Sequence, residues 1–140
     1  MGDTARALLV RLGERTFALS ASSARGVVAL ERITTVPRAS ELLLGLIPVR
    51  GGIVPLVDLH TLLGAGSTHD VRRPDARAVV ADVEGNTFAF PVDDVLGFGE
   101  IVTEAQPHEM SAPPVQQLGH DVEALNPVRV MHTLAQHLNS

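Results

Sequence analysis

Two aspartates stand where a carboxylate could do acid–base chemistry or bind a cation: Asp58, and Asp93 with its neighbour Asp94. Asp58 or Asp93, assisted by a histidine such as His60, would suit a small hydrolase, which needs a positioned base. Asp58 also precedes a short apolar run that ends at Gly64, the pattern of a helix N-cap and a glycine stop. We favour this structural role, and we expect one aspartate of the adjacent pair to cap a turn while the other faces solvent.

The histidines do not form a metal-binding pattern. No histidine is followed by another four residues later, and His108-Glu109 lacks the rest of a zinc-protease motif. We therefore predict no metal site and expect all six to be solvated surface groups: His60, His69, His108, His120, His132 and His137. A serine elbow, a phosphate loop and a complete dinucleotide fingerprint are also missing, so we predict no catalytic site and no cofactor.

Arg50 is the third residue of chemical interest, because it lies between the apolar residues 42–49 and the pair Gly51-Gly52. An unpaired arginine is costly to bury, so Arg50 either meets an internal carboxylate such as Glu31 or lies at the surface beside apolar groups. Arginine next to aliphatic residues is typical of protein interfaces, since its guanidinium pairs with carboxylates while its stem covers apolar area. The residues alone leave both interpretations open.

The composition excludes several classes of protein. Apolar residues make up 45% of the 140, which supports a sizeable core and excludes bulk disorder. A net charge of −5, with 11 arginines, no lysine and no tyrosine or tryptophan, disfavours nucleic acid. The absence of cysteine fits a reducing cytoplasm. The apolar runs at 7–10 and 42–49 are too short for a signal peptide or a membrane helix.

Alternating apolar residues predict an all-β fold. Residues 7–12 and 16–19 form a hairpin, and residues 44–50 and 53–57 form another around the Gly51-Gly52 turn. Pro48 lies within the second hairpin and therefore predicts an edge strand or a bulge. Further extended segments are expected at 26–30 and 33–36, with a helical turn capped by Ser40 and a polar connector at 64–74 that includes Ser67 and Thr68.

The second half of the chain repeats the first. An offset of 71 residues places 8–10 on 79–81, 16–19 on 87–90 and 26–27 on 97–98, and an offset of 68 places 57–58 on 125–126. A period of this length suggests a duplicated small module, each copy with about five strands that suit a small closed barrel. Two such barrels would pack together along a seam. One larger barrel is the alternative interpretation.

Residues 44–59, LGLIPVRGGIVPLVDL, resemble the hGhhNhRGxhhPhhDL signature of CheW-like domains, and residues 92–95, VDDV, are similar to that family's V-D-x-V landmark. The resemblance implies one domain over 1–140 with two intertwined SH3-like five-stranded barrels that share a core. Subdomain 1 would span about 16–75 and subdomain 2 about 76–125, completed by the N-terminal strand and the C-terminal helix.

The resemblance also implies a non-catalytic adaptor that couples chemoreceptors to a CheA-like histidine kinase. Its partners would be the regulatory domain of the kinase and the cytoplasmic tip of the receptors, with no nucleic acid and no membrane insertion, in the cytoplasm at receptor arrays. By position, the partner-binding residues would be Arg50, Val49, Gly51, Ile47, Val27, Val28 and Glu31.

The sequence departs from the family pattern at two places. Pro48 replaces the usual asparagine, and Asn126-Pro127 replaces a Leu-Asp pair. These departures leave open which receptor is recognised and which output the pathway has. The alternative functions are a regulatory module that binds a small ligand in the seam, and a small hydrolase that uses Asp58.

Overall fold

The computed structural model describes residues 5–66, 71–101, 105–117 and 119–138. These residues form ten strands and two helices. The strands are β1 (Ala5–Leu12), β2 (Arg15–Ser20), β3 (Ala24–Ala29), β4 (Leu43–Val49), β5 (Gly52–Val57), β6 (Arg77–Val83), β7 (Asn86–Val92), β8 (Asp94–Ile101), β9 (Val115–Gln117) and β10 (His120–Ala124), and the helices are α1 (Leu59–Leu62) and α2 (Pro127–Leu138).

The strands form two five-stranded sheets, with the orders β8-β1-β2-β10-β9 and β3-β6-β7-β5-β4. The prediction of a mainly β protein with two five-stranded units is confirmed. Closure into SH3-like barrels is not confirmed, because the end strands of each sheet do not pair with each other as strands within the described residues.

The predicted repeat corresponds to identical strand pairing. Hairpin β1–β2 aligns Leu9 with Ala18, and hairpin β6–β7 aligns Val80 with Ala89, each number raised by 71. The parallel pairings also correspond, since β10 runs beside β2 and β5 runs beside β7. Both sheets therefore follow one pairing plan, related by an internal two-fold equivalence.

The two copies of this plan exchange strands. Each sheet joins the first hairpin of one copy to the last three strands of the other. Because of this exchange, residues 24–92 build one sheet and both ends of the chain build the other. The subdomain boundary near 75/76 falls between β5 and β6, inside a single sheet, and stays a prediction.

The main core lies between the sheets and draws on both. Phe17 of β2 and Phe90 of β7 are its largest fully buried side chains, both at most 1% exposed. α1 contributes Leu59 to the same cluster, and α2 contributes Val130 and Leu134. Burial of this shared cluster removes apolar area of both sheets from water and so holds them together, while each sheet also buries a smaller apolar cluster of its own.

Two local predictions are corrected. Residues 40–43 form a turn instead of a helical turn: the Ser40 carbonyl accepts from the Leu43 amide at 2.9 Å, and no helix follows. Residues 33–36 form no strand, although Thr34 exchanges two backbone hydrogen bonds with Leu46 of β4. Pro48 lies in β4, an end strand, as its missing N–H requires. The predicted connector residues Ser67 and Thr68 lie outside the described residues.

Candidate functional site

Asp58 lies at the N-cap of α1. Its carboxylate accepts hydrogen bonds from the Thr61 backbone N–H at 3.1 Å and from the Thr61 hydroxyl at 2.7 Å. The helix ends at Leu63, and Gly64 follows with φ of +68°, a conformation that glycine adopts without strain. The Asp58 carboxylate is thus engaged in starting a one-turn helix.

His60 is buried, and the expectation of a solvated histidine is wrong at this position. Its side chain is 1% exposed, and Nε2 lies 2.7 Å from Oδ2 of Asp93, which is 5% exposed. The same Asp93 oxygen accepts from the Gly13 N–H at 2.6 Å, so the carboxylate ties the β1–β2 turn to α1. Asp94 is about half exposed and pairs with Arg77 at 3.4 Å. His60 and Asp93, 33 residues apart, were named together only in the hydrolase alternative, and the structure brings them together in the interior.

No catalytic or metal-binding arrangement surrounds these groups in the described part of the chain. His60 Nδ1 is buried and has no hydrogen-bond partner among the residues that the structure describes. The described residues contain no cluster of three or more histidine, aspartate or glutamate side chains that could hold a metal ion. His120 and His132 are exposed, as expected, and His69 lies outside the described residues. None of the described helices is long and apolar enough to cross a bilayer.

The β4–β5 hairpin turns one residue earlier than predicted. Its two loop residues are Arg50 and Gly51, with φ of +47° and +81°, whereas Gly52 already belongs to β5. Two positive φ values in a two-residue loop match the right-handed twist of the strands. Arg50 therefore occupies a backbone conformation that is uncommon outside glycine, at the tip of the hairpin.

The Arg50 side chain is exposed and makes no ion pair or hydrogen bond with any described residue. Internal pairing with Glu31, one of the two alternatives, is therefore not observed. The other alternative, a cation beside apolar surface groups, matches the surroundings. Arg50 and Val49 share a cavity of about 210 Å³ with Val27 and Val28 of β3.

A second cavity adjoins β3 and β4. It has a volume of about 260 Å³, and Glu31 and Ile47 line it together with Arg32 and Pro48. The two cavities thus collect six of the seven predicted partner-binding residues at the end strands of one sheet. Gly51 lines neither cavity and serves the hairpin turn. Their role in binding stays a prediction.

The floor of the Arg50 cavity is apolar and its rim is charged. Val80 of β6 lies beside the three valines, and the rim carries Arg25 and Asp82, whose charged atoms lie 4.0 Å apart. This pair is exposed on the Arg25 side, so it contributes little to stability. Arg50 is the rim cation that has no carboxylate partner among the described residues.

The sequence reasoning missed two exposed apolar side chains. Ile53 of β5 is 73% exposed, and Phe98 of β8 is 53% exposed beneath the Arg6 guanidinium, 4.8 Å from its ring centroid. Ile53 lies within the recognised motif and alternates with Val54, which is 6% exposed, but both residues are apolar, so the sequence carried no signal that Ile53 faces outward.

Arg15 and Glu123 form a clamp that the sequence did not predict. The guanidinium donates from Nε and Nη2 to the two carboxylate oxygens at 2.8 and 2.7 Å, and from Nη1 to the Leu63 carbonyl at 2.8 Å. The hydrogen bond to Glu123 raises the pKa of Arg15 above its usual value, against an opposing effect of burial. The clamp joins β2, β10 and the end of α1.

Comparison with known proteins agrees with this architecture. A family model described as CheW-like domain matches residues 6–119. The chain is also similar to the scaffolding protein TtCheW from Thermoanaerobacter tengcongensis, whose crystal structure superposes with a TM-score of 0.73 at 21% identity, over 90% of this chain and 86% of that one. No curated protein matches the sequence.

Proposed function

The chain belongs to the CheW-like domain family, and from this premise we propose that it is a non-catalytic adaptor that couples chemoreceptors to a CheA-type histidine kinase. The pathway is bacterial chemotaxis or a chemotaxis-like system with another output. Its partners are the regulatory domain of the kinase and the cytoplasmic tip of the receptors. The adaptor works in the cytoplasm, at receptor arrays.

One observation supports this function most strongly: an exposed arginine with no ion-pair partner among the described residues borders an apolar cavity. Val27, Val28 and Val49 supply aliphatic area, and Arg50 supplies a charge that a partner's carboxylate can complete. Interfaces are enriched in arginine because it pairs with carboxylates and covers apolar area at once. The two-residue turn fixes the backbone from which Arg50 projects.

The sheet geometry supports the finer expectation of two barrel-like subdomains. Thr34, which follows β3 in the chain, bonds to Leu46 of β4 at the far end of the same sheet. The end strands of this sheet also line one cavity together. We infer that each sheet curls toward an SH3-like barrel, and that the seam between the two is available to a partner.

A hydrolase is disfavoured by the bonding of its candidate residues. Asp58 caps α1, and His60 and Asp93 bond to each other in the interior. A substrate cannot reach the His60–Asp93 pair without displacing buried side chains. We therefore propose that the protein is not an enzyme and needs no cofactor.

A small-ligand-binding module is the second candidate function, because the described residues line one larger apolar cavity. Its volume is about 380 Å³, and its walls include Ile101, Ala124 and the 41% exposed Val128. A ligand that binds the native state raises its melting temperature in proportion to the logarithm of its concentration. A rise with apolar small molecules, in the absence of protein partners, would favour this alternative.

The proposed function is tested by co-sedimentation of the purified protein with the kinase and a receptor fragment. Kinase autophosphorylation is read in the same samples. We expect the protein to pellet with both partners and to make kinase activity depend on the receptor. Recovery of the protein with neither partner would overturn the proposal.

A further inference from the structure

The cavity of about 380 Å³ lies at the first turn of α2, and we call it the α2 cavity. Ala5 at the start of β1, Ile101 at the end of β8 and Ala124 at the end of β10 line it together with Pro127 and Val128 of the helix. Because Val128 is 41% exposed, the cavity reaches the surface beside it. Its volume falls in the range of about 300–1,000 Å³ that ligand pockets occupy.

The internal repeat shows that the fold can fill this place. Ala124 pairs with Ala18 in one sheet as Leu56 pairs with Ala89 in the other, so Ala124 and Leu56 occupy equivalent positions. Leu56 is fully buried in an apolar cluster that also contains Leu30. The copy that forms the α2 cavity therefore has a methyl group where the other copy has a packed isobutyl group.

A second position differs in the same direction. Ser20 lies opposite Ala7 as Pro91 lies opposite Ala78, so Ser20 replaces a proline ring in the copy with the cavity. Space left by smaller side chains destabilises a fold unless neighbours or a ligand fill it. Since one copy of this plan is filled and the other is open, the α2 cavity is a property of this chain's residues and not of the strand plan.

The lining selects an uncharged ligand. None of the ten described residues around the α2 cavity has a charged side chain, and eight of them are apolar. The two polar side chains already have partners: Ser20 Oγ lies 2.9 Å from Ser22 Oγ, and the Asn126 amide group donates to the Gln106 carbonyl at 3.2 Å. The Asn126 side-chain oxygen accepts from the Arg129 N–H at 3.2 Å. A charged ligand would lose its hydration and gain no counter-charge here.

The volume sets the size of the ligand. An apolar protein cavity of about 150 Å³ holds one benzene molecule, so about 380 Å³ suits a molecule roughly two to three times as large. We propose that the α2 cavity binds an uncharged, mainly apolar small molecule of the size of a fused two-ring aromatic. This inference deepens the ligand-binding candidate above and does not depend on the adaptor function.

The test measures binding of indole and of 1-naphthol to the full chain by isothermal titration calorimetry, with indole-3-acetate as the charged probe. Ala124→Leu introduces the residue of the other copy and should weaken binding of the neutral probes at least about tenfold, because its side chain occupies their space. Ala135→Leu is the matched control, since Ala135 lies in the same helix but lines a different cavity. It should change binding less than about twofold.

A second variant keeps the test decisive if Ala124→Leu lowers the melting temperature. Val128→Asp places a carboxylate at the exposed mouth of the cavity, in the first turn of α2, where the helix dipole favours a negative charge. It should fold normally and weaken binding of the neutral probes at least about fivefold. Indole-3-acetate should bind the wild-type protein at least about tenfold more weakly than indole does.

Each contrary result has a defined meaning. Absence of binding by both neutral probes, or binding that a folded Ala124→Leu variant and Val128→Asp leave unchanged, would overturn the inference. Equal affinity for indole and indole-3-acetate would overturn the ligand class. A wild-type dimer that Val128→Asp dissociates, without probe binding, would assign the cavity to a second copy and equally overturn it. The co-sedimentation test of the adaptor function stands apart from all of these results.

Discussion

Hairpins β4–β5 and β9–β10 occupy equivalent places in the two sheets, but their outer surfaces differ in chemistry. The first carries Ile53, 73% exposed, and Arg50 at its tip. The second carries Gln116 bonded to Asp121. Gly51 and Gly119, which are equivalent in the repeat, have nearly the same φ, +81° and +80°. The strand plan is therefore separable from the surface that it displays.

The two halves of the chain also differ in charge. Nine of the 11 arginines lie in residues 1–73, whereas ten of the 16 aspartates and glutamates lie in residues 74–140. This uneven distribution of charge does not alter the strand pairing, because the pairings depend on backbone hydrogen bonds and buried apolar residues. The first half therefore carries most of the cations and the second half most of the carboxylates, on the same strand plan.

Helices α1 and α2, which follow equivalent strands in the two copies, differ in length. α1 has four residues, and the space beyond its end is covered by Arg15, which binds Glu123 and the Leu63 carbonyl. α2 has 12 residues, and it continues past the equivalent position, over Asn86 and Pro55. The Arg15–Glu123 clamp in one copy and the two extra helical turns of α2 in the other thus lie at equivalent positions of the repeat.

The largest expected effect tests whether the halves form one cooperative unit. Phe17 and Phe88 are equivalent core residues, at most 6% exposed, and each substitution by alanine should lower the free energy of unfolding by about 3–5 kcal/mol. Denaturant unfolding followed by circular dichroism should remain a single transition in both variants. Separate transitions for the two halves would contradict the expectation of one cooperative unit, which follows because the exchanged strands make each sheet depend on both copies.

The next effect tests the clamp against its counterpart. Arg15→Ala should cost about 1–2 kcal/mol of stability, because it leaves a buried Glu123 carboxylate without its donors, discounted for the partly exposed arginine. Asn86→Ala, at the equivalent position, should cost less than about 0.5 kcal/mol. Equal costs in urea unfolding would contradict the assignment of different covers.

The clamp also has a pH signature. Because hydrogen bonding to Glu123 raises the Arg15 pKa, the stabilising contribution is present at neutral and moderately alkaline pH and is lost only as pH rises above the ordinary arginine range. The cost of Arg15→Ala should therefore stay constant from pH 7 to about 9. A cost that declines within this window would show that another group controls the interaction.

A smaller effect compares the two helix caps. Asp58 accepts two hydrogen bonds from Thr61, whereas Asn126 accepts one from the Arg129 N–H at 3.2 Å. Each substitution by alanine should cost about 1 kcal/mol, with Asp58→Ala the larger of the two because Asp58 is 8% exposed. A larger cost for Asn126→Ala in thermal unfolding would reverse the order that the contacts predict.

The smallest expected effect on stability is at Arg50. Arg50→Ala should change the free energy of unfolding by less than about 0.5 kcal/mol, since the side chain is exposed and has no bond to the described residues. It should nevertheless weaken the coupling of receptor to kinase. A large fall in melting temperature would instead mean that Arg50 stabilises the fold and is not a surface residue available to a partner.

The sequence predicted the elements and their equivalence better than their assembly. Alternation and glycine turns located hairpin β1–β2, and the offset of 71 aligned its register with that of β6–β7. A repeat shows which segments are equivalent, but it does not show which copy pairs with which, so only the family resemblance, with its two intertwined units, pointed to the strand exchange. Four of the seven candidate site residues lie in the motif at 44–59 and three lie before it, and the structure gathers six of the seven along β3 and β4.

Side-chain partners distant in the chain were the least predictable. His60 and Asp93 are 33 residues apart, and Arg15 and Glu123 are 108 apart, so no local pattern connects them. The exposure of Ile53 was missed because an apolar residue in a strand gives the same pattern whether its face is covered or open. Whether such a strand face is exposed depends on which residues of the other copy pack against it.

The strand exchange also sets the order of events during synthesis. β1 and β2 leave the ribosome as a hairpin, but β8 and β10, the strands that flank them, begin at Asp94 and His120. At roughly 5–20 residues per second, the hairpin waits about 4–15 seconds for the first of these neighbours. Throughout that interval its apolar residues are open to chaperones or to other nascent chains, so the first strands to emerge are among the last to be sheltered.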